Sequence, residues 1–179
     1  MSKIVVLSGS PRIGGNTDAL VDSFVKGASE QNEVEVISVH DYQVNPCMGC
    51  NSCFTREGNK CHQGDDMPKI YEKLAQADAL IIASPVYFYG VSAQLKAIID
   101  RLHAPARNTF KIKKLGMILV GAATLPELFD SILTQHKLIR NFFHLEDAGT
   151  VLVRGVREKG AVGSEDLDRA FEFGRSMGE

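Results

Sequence analysis

Leu7-Ser8-Gly9-Ser10-Pro11-Arg12-Ile13-Gly14-Gly15-Asn16-Thr17 is the stretch on which the reading of this chain turns. It follows Ile4-Val5-Val6-Leu7, an apolar run that reads as a buried strand. It precedes Asp18 to Gly27, where Leu20, Val21, Phe24 and Val25 recur at helical spacing. The stretch is therefore expected to be the turn between a first strand and a first helix. It holds three glycines, three hydroxyls, one arginine and one amide, with no acid before Asp18. That composition suits a dianionic phosphate. Glycines admit backbone N–H groups closely, hydroxyls donate, and the helix N-terminus adds the positive end of its dipole.

The kind of phosphate is narrowed by what the stretch lacks. Gly9 and Gly14 have the separation of a nucleoside-triphosphate loop, but Gly15 and Asn16 stand where its Lys and Ser/Thr belong. The dinucleotide pattern Gly-x-Gly-x-x-Gly fails because Pro11 follows Gly9-Ser10. A single phosphate held by hydroxyls and backbone amides fits better. An ordinary glycine-rich turn is the alternative.

Working outward, strand and helix patterns alternate. Strands are expected at 34–39, 79–83, 115–121 and 150–153. Helices are expected at 67–77, 92–102, from Pro126 to about His144 (with Leu128, Phe129, Ile132, Leu133, Ile139 and Phe142 inward), and at 166–176. Such alternation predicts an α/β three-layer sandwich, a five-stranded parallel sheet in the flavodoxin-like order 2-1-3-4-5. The 179 residues, 44% hydrophobic and 23% charged, suit one domain over 1–179. A net charge of −2 with no basic block gives no case for nucleic acid. No apolar run approaches the roughly 18 residues of a membrane span, and no signal-peptide pattern opens the chain. A cytoplasmic location is the expectation.

In that topology ligands sit beyond the carboxyl ends of the strands, beside strands 1 and 3. Three segments should meet there: the glycine-rich turn, a long loop at about 40–66 that holds all four cysteines, and Ser84-Pro85-Val86-Tyr87-Phe88-Tyr89-Gly90. Three aromatics beside a monophosphate loop favour a flat ring system carrying one phosphate, which is FMN. Covering the sheet end or a subunit contact is the other use such aromatics find.

Ser8-Gly9-Ser10-Pro11-Arg12 with Gly15-Asn16-Thr17, and Ala83-Ser84-Pro85-Val86-Tyr87-Phe88 followed by Gly90 and Ala93-Gln94-Leu95-Lys96-Ala97-Ile98-Ile99-Asp100-Arg101, resemble the NAD(P)H-dependent FMN reductase family. Pro46-Cys47-Met48-Gly49-Cys50, Cys53, Cys61 and Asp65-Asp66-Met67 resemble its iron–sulfur flavoprotein-like branch. The resemblance covers roughly residues 3 to 121. It implies an FMN site made by Ser8, Ser10, Arg12, Gly15, Asn16 and Thr17 at the phosphate. Pro85, Val86, Tyr87, Phe88 and Gly90 would meet the ribityl chain and the isoalloxazine. After strand 4, Gly121-Ala122-Ala123-Thr124 departs from the family pattern, and Thr124 alone is assigned there. The resemblance also implies NAD(P)H as co-substrate and a second subunit, as a homodimer or homotetramer, helping to enclose the flavin.

The cysteines follow Cys47-x2-Cys50-x2-Cys53-x7-Cys61. Three thiolates in one tight turn and a fourth on a longer arm suit a [4Fe–4S] cluster, although His62 stands where ferredoxins carry proline. A tetrahedral zinc site, or free or redox-active thiols, are the competing readings. Gly49 and Gly58 supply backbone freedom for any of these.

Other signals are weaker. His40, His62, His103, His136 and His144 show no ligand spacing and read as structural or solvated. Asp65-Asp66 read as the cap and first turn of the following helix. Lys111, Lys113 and Lys114 read as a solvated connection, or else as a partner for the 2′-phosphate of NADPH.

The chain is thus expected to pass electrons from NAD(P)H through FMN to a small acceptor such as a quinone, a ferric complex or a flavin. Hydride transfer requires no side-chain acid or base, so no catalytic residue is named. Two alternatives are an iron–sulfur electron carrier exchanging electrons with ferredoxin, and a non-enzymatic redox or metal-responsive binding protein.

Overall fold

The central strands are apolar on both sides because both sides are covered. In a computed structural model, described for residues 1–178, five strands form one sheet in the order β2-β1-β3-β4-β5. They are β1 (Lys3–Ser8), β2 (Glu33–Ser38), β3 (Ala79–Pro85), β4 (Lys114–Val120) and β5 (Glu146–Val153). Every pairing is parallel. The helices are α1 (Asn16–Ala28), the one-turn α2 (Ser52–Thr55), α3 (Met67–Leu74), α4 (Ala93–Arg101), α5 (Asp130–Phe143) and α6 (Ser164–Ser176). The expected flavodoxin-like order is the observed one.

Alternation along each strand sorts the core into two layers. Ile4, Val6, Ile81 and Ile118 pack with Leu20, Val21 and Phe24 of α1 and Ala170 of α6. Val5, Leu7, Leu80 and Ile82 face the opposite way, against Ile70 of α3, Leu95 and Ile98 of α4 and Ile132 of α5. Two glycines set the distance between α1 and α6. A Cβ on Gly27 would lie 2.1 Å from the Phe171 carbonyl oxygen, and one on Gly174 would lie 2.1 Å from that of Phe24. With the backbones in contact, α1 is held firmly and its N-terminus stands at the carboxyl end of β1.

Several boundaries differ from the sequence reading, each for a physical reason. α5 begins at Asp130, with residues 126–129 forming a turn that still buries Leu128 and Phe129. Phe142, expected inward, is 52% exposed. Eleven residues make about three helical turns, so Phe143 and not Phe142 stands in register with Ile132. Strand β5 starts at Glu146 rather than Thr150, because an edge strand carries polar residues without penalty. Asp66 takes the cap position of α3 and Asp65 accepts from the Met67 amide at 3.3 Å, as expected, but Asp65 also forms a buried ion pair with Arg101, their side chains 2% and 3% exposed. Lys113 and Lys114 lie at the start of β4, the end of the sheet away from the carboxyl-end loops, Lys113 exposed and Lys114 half-buried.

Candidate functional site

The turn after β1 is shaped by its own hydrogen bonds. Gly9 N–H donates to the Ala83 carbonyl at 2.7 Å, tying the turn to the end of β3. Asp18 reaches back from the first turn of α1 and accepts from the amides of Gly14 (2.6 Å) and Gly15 (3.3 Å). Gly14, having no Cβ, takes the left-handed φ of +65° at this turn. Ser10 Oγ donates to the Arg12 carbonyl at 2.8 Å and accepts from its amide at 3.2 Å. The first backbone bond of the helix joins Ala19 N–H to the Gly15 carbonyl at 3.0 Å, so the amides of residues 16–18 precede the ladder.

The loop after β3 is drawn to the next strand, with Val86 N–H on the Val120 carbonyl at 2.8 Å. Ser84 Oγ accepts from the Ser92 amide at 3.1 Å, fixing the loop against the start of α4. Its tip is a tight turn in which Tyr87 and Gly90 exchange two backbone bonds of 2.9 and 3.0 Å. Both central residues, Phe88 and Tyr89, have positive φ, +48° and +63°. Ser131 Oγ donates to the Tyr89 carbonyl and braces the tip from α5.

These loops enclose a cleft of about 300 Å³ at the carboxyl ends of β1, β3 and β4. Of the residues assigned from sequence, Ser10, Arg12, Gly15, Asn16, Thr17, Pro85, Val86 and Tyr87 line it. Ser8, Phe88, Gly90 and Thr124 lie outside that lining. Ser8 has the face of Val6 and borders a separate depression with Ser38, Asp18 and His40. Phe88 is 98% exposed at the turn tip. Thr124 packs toward Gly155.

Residues that the sequence reading left out complete the wall. Gly121 and Ala122 come from the loop after β4, and Val156, Arg157 and Lys159 from the loop after β5. The two loops are joined by Gly155 N–H to the Ala123 carbonyl and Val156 N–H to the Gly121 carbonyl, both 3.1 Å. A signal existed in the rule that ligands lie beyond strand carboxyl ends, which applies to β5 as well as to β1.

No carboxylate lines the cleft, whereas Arg12, Arg157 and Lys159 all do. Ser10 and Thr17 are 3% and 2% exposed at its floor. The opposite side is the apolar edge made by Pro85, Val86 and Tyr87. A cationic, hydroxyl-bearing end joined to an apolar wall fits a phosphate ester of a flat ring system. The donor set of this cleft therefore suits FMN.

The cysteine loop, after β2, was expected to meet the other two loops in one crevice, but none of residues 40–66 lines the cleft. Its contacts run to the C-terminal end of α4, where Phe54 lies 6.0 Å from His103 and Arg101 holds Asn45 and Asp65. All four thiols are unpaired; Cys47 and Cys50 are exposed, and Cys53 and Cys61 are half-buried. Gly49 and Gly58 take left-handed φ of +66° and +67°, the freedom the sequence reading assigned them. Cys50 Sγ lies 3.4 Å from Ser52 Oγ and 3.5 Å from His62 Nδ1. The Ser52 hydrogen bond holds the Cys50 thiol below its usual range, while burial pushes that of Cys53 up. Asn45 N–H donates to Asp65 at 2.9 Å, and Arg101 donates both to Asp65 and, at 3.2 Å, to the Asn45 carbonyl. One buried guanidinium thereby joins the two ends of the loop. Burial opposes the charge on Asp65, but the bonds from Arg101, Asn45 and Met67 outweigh it and keep the carboxyl below its usual range. Tyr71, whose hydroxyl donates to the Arg101 carbonyl at 2.7 Å, is pushed up to about 12 by burial.

The donor chemistry of four thiols suits an iron–sulfur cluster. Cys47, Cys50 and Cys61 all lie near enough to Cys53 to act on its thiol electrostatically, while the described residues hold no group of three or more His, Cys, Asp or Glu already placed around one metal ion. No helix among them is long and apolar enough to cross a membrane.

The comparisons agree with this geometry. An iron–sulfur flavoprotein of Methanocaldococcus jannaschii is 44% identical over 124 residues, 68% of this chain and 63% of its own. The chain thus matches less than two thirds of that relative's length. An iron–sulfur flavoprotein of Archaeoglobus fulgidus is 34% identical over 180 residues, 99% of this chain and 79% of its own. Among solved structures, an NAD(P)H:quinone oxidoreductase from Methanothermobacter marburgensis superposes with a TM-score of 0.80 at 17% identity, covering 99% of this chain and 98% of that one, a likeness of fold. The family model of NADPH-dependent FMN reductases matches residues 2–146, the part that holds the β1 turn, the aromatic loop and the cysteine loop. With the cleft and the match in agreement over most of its length, the chain belongs to the NADPH-dependent FMN reductase family.

Proposed function

We propose that this protein is an FMN-dependent NAD(P)H oxidoreductase that holds FMN noncovalently in the cleft and delivers electrons to a small acceptor: a quinone, a ferric complex or a second flavin. The observation that carries the reading is the acid-free cleft with three cations at the carboxyl ends of β1 and β3. FMN, when bound, would supply the hydride-accepting and electron-transfer chemistry. The protein binds, orients and shields. Arg12, the Thr17 hydroxyl and the first amides of α1 neutralise the phosphate. Pro85 and Val86, fixed through Val120, give the ring an apolar wall. Tyr87, 42% exposed, stands where a stacking partner is needed.

Arg12→Met and Thr17→Ala test the placement. Each is expected to weaken FMN binding about tenfold, as loss of one charge-assisted hydrogen bond implies. Unchanged affinity in both would remove the phosphate from this turn.

A second reading is favoured by the cysteine spacing and by the relatives: an iron–sulfur flavoprotein exchanging single electrons with a ferredoxin-like partner. It requires the loop to rearrange so that the four thiols converge. Iron and acid-labile sulfide at about four each per chain, as a cubane requires, would support it; neither, in anaerobically prepared protein, would leave the FMN reductase alone.

A further inference from the structure

Asn16 was expected to contact phosphate, but its side chain is already engaged. Its Nδ2 donates to the Glu158 carbonyl at 2.8 Å and its Oδ1 accepts from the Gly160 amide at 2.9 Å. Both halves of the amide thus bind the loop between β5 and α6, more than 140 positions away in sequence. Lys159 makes a third tie: its Nζ donates to the Ile13 carbonyl at 3.2 Å and lies over Gly14, 3.2 Å from where a Cβ would stand. The loop is therefore strapped across the phosphate turn, and Arg157 and Lys159 border the cleft from that side. Between Val153 and Gly163 the loop carries Arg154, Arg157 and Lys159 against the single acid Glu158. Arg154 is spent elsewhere, donating to the Leu125 and Pro126 carbonyls at 3.1 and 2.8 Å. Lys159 gives its carbonyl contact only one of three N–H groups.

We propose that the β5–α6 loop is the second half of the phosphate site, with Asn16 as its latch and Arg157 and Lys159 as the charges that make the protein select a phosphorylated flavin over the unphosphorylated one. This rests on the proposal that FMN occupies the cleft. Asn16 is then a positioning residue: it holds the loop, and the loop holds the phosphate. The β1 turn keeps part of its donor set for itself, because the Gly14 and Gly15 amides are used by Asp18 and Ser10 Oγ is used by Arg12, so the charges of the second loop add to what Arg12, Thr17 and the amides of residues 16–18 supply.

The test is titration of the full chain, freed of flavin, with FMN and separately with riboflavin, in the wild type and in Lys159→Met, Lys159→Arg, Arg157→Gln and Asn16→Ala. These side chains lie on the surface or at its edge, and thermal unfolding of each variant checks that it folds. Wild type should prefer FMN strongly. Lys159→Met and Arg157→Gln should each lose about tenfold in FMN affinity, with riboflavin affinity unchanged and a shallower salt dependence. Lys159→Arg should keep most of the preference. Asn16→Ala should weaken FMN binding and speed hydrogen exchange at the Gly160 amide. If the wild type prefers FMN but Lys159→Met and Arg157→Gln match it, the loop is not part of the site and the inference falls while the flavin reading survives. If the wild type binds both flavins equally, the inference falls while the flavin reading survives; if it binds neither, the reading beneath it falls too.

Discussion

Phe88 and Tyr89 sit where a two-residue hairpin turn needs positive φ at both central positions, the pattern that ordinarily selects Asn-Gly. Bulky L-residues there cost about 1–3 kcal/mol each. Strain of this kind gathers at functional positions, and the turn borders the cleft with Phe88 almost fully exposed. Replacing the pair by Asn-Gly is expected to stabilise the flavin-free protein by about 1–3 kcal/mol in urea unfolding and to reduce flavin-dependent turnover. Equal stability in variant and wild type would mean the turn is unstrained. His136 offers a second residue-scale test. Burial lowers its pKa below 6.5, against the raising effect of Asp147 and with the help of Arg140. A histidine with a depressed folded pKa stays neutral when folded, so its contribution is present above pH 6.5 and is lost as pH falls through the lower folded value. Stability should decline below pH 6.5, and His136→Phe should flatten that limb of the profile. At this scale the sequence identified residue types better than it identified partners. Asn16 and Thr17 were both legible as polar groups in a phosphate turn, yet the Asn16 amide bonds to a loop that no local pattern connects to it.

Elements are joined by contacts that local patterns disguise. Asp65 precedes a helix, as a capping acid would, but it is the buried partner of Arg101 and, with it, closes the cysteine loop. Removing the guanidinium leaves a buried carboxylate alone, so Arg101→Leu is expected to cost about 3–5 kcal/mol and to free residues 45–65, seen as faster thiol labelling of Cys53 and Cys61. A loss under 1 kcal/mol with unchanged labelling would show that the clamp does not hold the loop. The α1–α6 contact is tested by Gly27→Ala. A methyl group 2.1 Å from a carbonyl oxygen forces the helices apart, at a cost of about 1–3 kcal/mol. Because α1 carries the phosphate turn at its N-terminus, FMN affinity should fall with stability. Gly174 lies in a helix that the apolar spacing predicts, but only the paired approach of Gly27 explains why it must be glycine. Helix faces were legible wherever apolar spacing was regular; Phe142 was misplaced because Phe143 competes for the same stripe.

For the whole molecule, strict alternation of strands and helices made the sheet order readable, since a parallel sheet with both faces covered leaves few topologies. The cleft was readable only in part: two of its loops carry distinctive residues, while those after β4 and β5 are plain glycine, alanine and scattered cations. Large apolar side chains remain uncovered, among them Leu138 at 63% and Phe142 at 52% on α5, beside a mostly apolar cavity of about 520 Å³ between α4 and α5. Exposed apolar surface of this kind marks interaction sites. A homodimer or homotetramer, as expected from the sequence, would cover such a face, and light scattering should then give a mass above the 19.6 kDa of one chain. The most direct measurement of the central claim is the absorbance spectrum of anaerobically purified protein, before and after adding FMN and then NADH or NADPH. The account predicts flavin bands that stay with the protein through gel filtration and bleach on adding a reduced nicotinamide. A protein that retains no flavin, even after incubation with FMN, would contradict it.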